Sequence, residues 1–232
     1  MPELPEVETT KRGIEPYLHN QSITKILVRQ KSLRIPFNDN LKKHITHVKI
    51  KNIKRRAKYI VIDFANEYSM VIHLGMTGNL RASRQKKFLK HDHIIFYLES
   101  GNSLIFNDVR RFGLVQIYKT KDSFYLLDNN GPDPFEKKAD VDYFYNRIKN
   151  SSASIKSILL NHKIISGIGN IYASEILFST NISPLRMGRD ISHTDCKKIL
   201  QQSKIILNKA IKAGGTTLND YFNAESKPGY FK

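Results

Sequence analysis

A single cysteine, Cys196, stands in a chain of 232 residues. That scarcity excludes an internal disulfide and any Cys-rich zinc site. No apolar run is long enough to span a membrane and no stretch reads as a signal peptide, which points to a soluble intracellular protein. Internal repeats and low-complexity tracts are absent too. Acidic side chains are scarce: 21 Asp+Glu stand against 38 Lys+Arg, for a net charge of +17 and a pI near 9.8. A surplus of that size implies a polyanionic partner, either nucleic acid or an anionic membrane. It is also uneven. Residues 1–100 carry 19 basic and 9 acidic side chains, residues 101–150 carry 8 and 7, and residues 151–232 carry 11 and 5. Two basic regions flank a nearly neutral middle, as expected of two lobes gripping one polyanion. The 40% hydrophobic content allows a proper core, which a basic ribosomal or chromatin protein rarely has.

What is present divides the chain in two. Val7, Ile14 and Leu18 predict a helix over residues 5–18. Short β-branched and aromatic runs follow: Ile23–Val28, His44–Ile53, Tyr59–Phe64, Ser69–His73, His93–Leu98, Ser103–Phe106 and Gly113–Tyr118. Runs of this length, punctuated by turn residues, read as a β-sandwich or barrel. Asn129-Asn130-Gly131-Pro132-Asp133-Pro134 is the strongest break, so the expected domains are 1–130 and 136–232. Beyond it the spacing predicts helices at Val141–Ile148, Ile155–Leu160, Ile171–Phe178 and Thr194–Ala213. Ser192 and Asp195 supply a capping box to the last, and its Cys196 reads as ordinary core.

Six stretches have the residue types for chemistry. Trimming of Met1 would leave Pro2 as a free secondary amine beside Glu3. Such an amine can attack an aldehyde-like carbon and form an iminium, and a buried carboxyl can protonate a leaving group or a sugar oxygen. The bland alternative is that Glu6 and Glu8 only favour a helix N-terminus. Lys58 leads into Tyr59–Phe64, where alternation would put it on the face of Ile60, Ile62 and Phe64; partial desolvation would make it a proton carrier, the alternative being a snorkelling side chain. Its neighbours Lys54, Arg55 and Arg56 are expected in solvent or on phosphates. His73-Leu-Gly-Met76-Thr-Gly78 turns sharply, placing Met76 at a tip from which a thioether could wedge into a base stack. Lys90-His91-Asp92-His93 invites a metal through its two His, but no third ligand follows, and His91 suits a phosphate better. Asn107 to Gly113 combines Arg110, Arg111 and Phe112, a set able to hold phosphate or base edges and to stack. Finally, Lys156 to Phe178 runs helix, Gly167-Ile-Gly169 turn, helix, with Asn170 opening the second helix, where unpaired N–H groups would meet an anion.

Taken together, these residues resemble the formamidopyrimidine-DNA glycosylases, the base-excision repair family that includes endonuclease VIII. The match runs through Pro2-Glu-Leu-Pro-Glu-Val-Glu8, Arg56–Tyr59, His73–Gly78, Lys90–His93, Arg110–Gly113, residues 156–178, Gly214–Leu218 and Lys227–Phe231, in register over the whole chain. The resemblance implies an α+β protein: a β-sandwich with an N-terminal helix, then a helix–two-turn–helix domain, with DNA in a cleft between. It implies Pro2 as nucleophile on the sugar C1′, Glu3 as acid and Lys58 as proton donor in strand cleavage. Met76, Arg110 and Phe112 would fill the gap left by a flipped base, while His73, His91, Lys156 and Asn170 match DNA-contacting positions. Thr216–Tyr230 corresponds to a loop over the flipped oxidised purine. The expected partner is double-stranded DNA with an oxidised purine or abasic site, met by a monomer in the cytoplasm, at the nucleoid. Two departures stand out. The family usually continues into a zinc finger with two Cys-x-x-Cys pairs and an arginine for the second elimination, so no zinc and no other cofactor is expected here. Ser151 stands where family members often carry a phosphate-binding lysine. A catalytically silent binder of damaged DNA is the competing reading.

Overall fold

The N-terminal half is built from alternating apolar residues that two antiparallel sheets bury against each other. The computed structural model describes residues 1–84, 88–122 and 124–215. Helix α1 (Leu4–Leu18) opens the chain, and eight strands follow: β1 (Ile23–Val28), β2 (Ile50–Arg56), β3 (Tyr59–Phe64), β4 (Tyr68–His73), β5 (Gly78–Ser83), β6 (Asp92–Leu98), β7 (Ser103–Asp108) and β8 (Leu114–Lys119). They form two four-stranded sheets of order β1-β6-β7-β5 and β2-β3-β4-β8. Ile60, Ile62 and Phe64 from one sheet, Ile94, Phe96, Leu104 and Phe106 from the other, and Val7, Ile14 and Leu18 from α1 share one buried core. Two sheets with a common apolar interior make a sandwich, and the period-two alternation along β3 and β7 is what puts those side chains inside. At roughly 1.5–3 kcal/mol for each fully buried aliphatic or aromatic side chain, this core dominates the stability of the unit.

Two readings of the strands need correction. The run His44–Ile53 is not one strand: a 3-10 helix (Asp39–His44) ends there, His47 takes a left-handed φ of 61°, and β2 begins only at Ile50. Pairing also extends β2 to Arg56, opposite Tyr59. Strand β5 carries Asn79, Arg81 and Ser83 and has no apolar signature beyond Leu80; it is a strand because it lies antiparallel to β7, Gly78 opposite Asp108 through Ser83 opposite Ser103.

Helices make up the second unit: α2 (Tyr125–Asp128), α3 (Val141–Ile148), α4 (Ile155–Leu160), α5 (Asn170–Thr180) and α6 (His193–Lys212). The short α2 lies before the predicted break, and among the described residues the compact units divide at Phe124/Tyr125, the first also taking Ala213, Gly214 and Gly215. Capping residues start these helices: Asp140 accepts the Tyr143 N–H, Ser154 accepts the Ser157 N–H, and Ser192 and Asp195 exchange bonds of 3.0 and 3.2 Å. Asn181 closes α5 in the left-handed region, φ 53°. Cys196 is buried in α6 with its thiol pushed up to about 11, by burial first and the adjacent Asp195 second. Among the described residues no helix is long and apolar enough to cross a membrane.

Candidate active site and nucleic-acid interface

The start of α1 is held by a reciprocal cap. Glu3 is the N-cap residue, its backbone N–H donates to the Glu6 carboxylate at 2.9 Å, and its own carboxylate accepts from the Glu6 N–H. Both side chains are buried, Glu3 at 2% exposure and Glu6 fully. Pro5 fits at the second helical position, where a missing N–H costs no intrahelical bond. Pro2 is buried beside this cap and Met1 is exposed, so removing Met1 would uncover an amine already lodged at the site.

Lys58 comes to the same place from the sheet. It is not a strand residue: Ala57 and Lys58 form the two-residue turn between β2 and β3, with Ala57 buried at φ 53°. The alternation argument for its face therefore fails, but the expected desolvation is present. Burial drives the Lys58 ammonium toward its neutral form, the Glu3 and Glu6 carboxylates oppose that, and the net pKa lies below the usual lysine value. Two carboxylates and one lysine thus share one low-dielectric spot, with Pro2 at its edge.

The turn is clamped to α1 by Arg55. Its Nε donates to Glu8 Oε2 at 3.1 Å and its Nη1 to the Ala57 carbonyl at 2.9 Å. Only about a tenth of the Arg55 side chain is exposed, so the expectation of solvent or phosphate for it is corrected; Lys54 stays exposed as expected, pairing with Asp63 at 2.7 Å. Burial raises the Glu8 carboxyl, but the Arg12 hydrogen bond and the charges of Arg55, Lys11 and Arg12 outweigh it and hold the group below the usual glutamate range.

His73, at the end of β4, lies buried near Lys58 rather than on the surface. Burial, then the charges of Arg34 and Lys58, bring its pKa down to about 4, so the imidazole is neutral at neutral pH. Its Nδ1 accepts the Gly75 N–H at 3.0 Å and its ring tilts against Tyr59 at 4.8 Å.

Two loops of this unit present apolar tips. Met76 is 37% exposed and Phe112 47%, with the Arg110 guanidinium 4.8 Å over the Phe112 ring. Gly75 (φ 66°) sits so close to the second loop that a Cβ there would lie 2.4 Å from the Gly113 nitrogen. His91 lines an open groove of about 320 Å³ with Lys90, Arg29 and Arg111. The neighbouring His93 ring turns inward, its Nε2 2.6 Å from the Asp108 carbonyl, so the two histidines do not aim at one point. Asp92 between them is raised by burial and lowered further by the bidentate Arg81, Asn107 and the Leu89 N–H, ending below the usual carboxylate range. No group of three or more metal-ligating side chains occurs among the described residues.

In the helical unit, Lys156 and Asn170 are brought together. Lys156 Nζ donates to Ser174 Oγ at 3.0 Å, and that hydroxyl donates to the Asn170 carbonyl at 2.9 Å. Gly167 takes φ 89° and Gly169 caps α5 in extended conformation, so Asn170 stands exposed at the helix start. A fixed ammonium beside a positive helix end is a site for an anion. Thr216–Tyr230 lies outside the described residues.

The sequence reading missed Glu6, Arg55, Thr77, Asp108 and Ser174. Glu6 had a signal, the Glu-x-x-Glu spacing of a cap. The others act through partners eighteen or more residues away in the chain, Ser174 through Lys156 within the stretch already marked.

Comparison with known proteins agrees with this geometry. Residues 1–115 match the family model described as formamidopyrimidine-DNA glycosylase N-terminal domain, and residues 130–221 the model of its H2TH domain. A formamidopyrimidine-DNA glycosylase of Rickettsia bellii (strain OSU 85-389) is 40% identical over 236 residues, all of this chain and 85% of the relative. That of Wolbachia pipientis subsp. Culex pipiens (strain wPip) is 41% identical over 233, all of this chain and 86% of the relative. Among solved structures, the MutM (Fpg) protein of Thermus thermophilus superposes with a TM-score of 0.88 at 30% identity, covering 98% of this chain and 84% of that one. A mutant of the Lactococcus lactis Fpg, in complex with a Fapy-dG containing DNA, gives 0.89 at 30%, with the same coverage. With full-length identity near 40%, both domain models in register and the N-terminal cap built around Pro2 and Glu3, the chain belongs to the formamidopyrimidine-DNA glycosylase family of DNA-repair glycosylases.

Proposed function

We propose that this chain removes oxidised purines, formamidopyrimidine and 8-oxoguanine, from double-stranded DNA and then cleaves the strand by elimination. The observation that supports the reading most is the convergence of Pro2, the buried Glu3–Glu6 cap and the desolvated Lys58 on one spot. With Met1 removed, the Pro2 nitrogen attacks the sugar C1′ and sheds its proton to the Glu3 carboxylate; the C1′–N bond to the base breaks and the base leaves with its electron pair, taking a proton from solvent. Glu3, buried at the nucleophile, passes the amine's proton on to the ring oxygen O4′, the C1′–O4′ bond opens, and the Pro2 lone pair forms the iminium. Loss of a C2′ proton then expels the 3′ phosphate, the iminium accepting the electrons. Lys58, whose burial holds it closer to neutrality than a solvent lysine, is suited to carry a proton in these steps.

Met76, Arg110 and Phe112 hold the space of the extruded base, and the Lys156–Ser174–Asn170 cluster and the His91 groove take phosphates. The relatives' names and the Fapy-dG and abasic-site DNA in the Lactococcus lactis complexes support the substrate class.

Borohydride should trap a covalent adduct between the chain and DNA carrying an abasic site, with the crosslink at Pro2. Pro2→Ala, or an added N-terminal tag, should abolish it. Equal trapping by the blocked protein would show another amine to be the nucleophile and end the assignment.

A further inference from the structure

The two loops, Gly75–Gly78 and Val109–Gly113, are joined by a hydrogen-bond relay, built on a buried carboxylate, that the chemistry above does not use. Asp108 is fully buried at the end of β7. Its Oδ1 accepts from the Thr77 hydroxyl at 2.6 Å and its Oδ2 from the Gly113 N–H at 2.8 Å. The Thr77 hydroxyl in turn accepts the Arg110 N–H at 3.0 Å. One carboxylate therefore grips the residue after Met76 and the residue after Phe112, and one hydroxyl closes the circuit to Arg110.

The Asp108 backbone is anchored as well: its N–H donates to the His91 carbonyl at 3.1 Å and its own carbonyl lies 2.6 Å from His93 Nε2. The loop backbones meet directly, since a Cβ on Gly75 would lie 2.5 Å from the Phe112 carbonyl carbon. Arg111 is held at φ 59°, a conformation that a non-glycine residue keeps only where its surroundings enforce it. Charge-assisted bonds to a buried carboxylate are stronger than neutral ones and lose most when a partner is removed.

We infer that the Thr77–Asp108 relay locks Met76 and the Arg110–Phe112 tip into one wedge that enters a base stack as a unit, making Thr77 and Asp108 positioning residues for base extrusion. The inference rests on the reading above that these tips fill the gap. Two loops that could move independently would each have to be ordered on insertion, whereas a prelocked pair has met that cost in folding.

Thr77→Val removes the hydroxyl at nearly constant volume, and Thr77→Ser retains it. The probe is a duplex with a tetrahydrofuran abasic analogue beside a 2-aminopurine, followed by stopped-flow fluorescence. Thr77→Val should slow the insertion phase about tenfold, and Thr77→Ser should stay within about twofold of the wild type. In the wild-type background Met76→Ala and Phe112→Ala should be strongly non-additive; in the Thr77→Val background they should become additive. Insertion by Thr77→Val at the wild-type rate, loss of rate in Thr77→Ser as large as in Thr77→Val, or unchanged coupling would overturn the relay. If Met76→Ala and Phe112→Ala each leave the fluorescence change intact, the wedge reading itself fails, a result separate from failure of the relay alone.

Discussion

At the scale of single residues, burial determines which charges are available. Lys58 would titrate as an ordinary lysine in solvent; in the turn before β3 it is desolvated against two carboxylates. Lys58→Gln keeps Pro2 and Glu3 in place, so it should retain imine trapping while strand cleavage falls by about 10²-fold or more, within the usual range for a lost proton carrier. A gel that separates intact from cleaved strand after single turnover reads both at once. His73 makes a stability prediction. Its pKa drops from 6.5 to about 4 on folding, so between those values the unfolded chain binds a proton that the folded chain refuses. Stability should therefore fall as pH drops from 6.5 towards 4, by up to about 3 kcal/mol, and level off below. Denaturant titrations across that range should show the slope, and His73→Gln should flatten it. A variant with the wild-type slope would assign it to other groups. The desolvation of Lys58 was legible in the apolar run it leads into. The opposing Glu3 and Glu6 carboxylates, and the burial of His73 beside Arg34 and Lys58, were not, because those neighbours arrive from elsewhere in the chain.

Between elements, the contact that matters most for the candidate active site is the Arg55 clamp from β2 to Glu8 on α1 and to the Ala57 carbonyl. Removing one partner of a largely buried pair leaves the other charge uncompensated. Arg55→Met should cost about 2–3 kcal/mol in chemical denaturation, part of which Glu8→Gln in the same chain should restore. Since the Glu8 pKa is depressed in the fold, its contribution is present above the ordinary glutamate value and disappears as pH falls through the folded one. Additive losses in the double variant would argue against a coupled pair. In the helical unit, Lys156→Ala should weaken binding to all duplexes alike and reduce the slope of log K against log[salt] by about 0.9, the signature of one lost phosphate contact. A change in lesion preference at constant affinity would instead mean that Lys156 reads bases. The helices that display these residues follow local signals, whereas β5 follows its partner: the polar Asn79, Arg81 and Ser83 alternate with Leu80 and Ala82, and only pairing with β7 makes the segment a strand.

For the whole molecule, a charge of +17 sets the physics of the first encounter. Non-specific affinity for undamaged duplex should collapse with salt; six phosphate contacts would make it fall on the order of 10³-fold between about 50 and about 200 mM. A shallow salt dependence, measured by fluorescence anisotropy, would show that the basic surplus is not spent on the DNA backbone. The sequence by itself determined whatever is encoded within a few residues: the excess of base over acid, the bounds of β1, β3, α3 and α4, the capping box at Ser192 and Asp195, and the adjacency of a secondary amine to a carboxyl at Pro2-Glu3. Resemblance across its motifs carried the family. Tertiary structure alone decided that Arg55 seeks Glu8 rather than solvent, that His73 turns inward, that Lys58 meets Glu3 and Glu6, and that Asp108 joins two loops. The reason is physical: propensity and capping act between neighbours in the chain, whereas desolvation and the pairing of buried charges depend on which distant residues fold around a group.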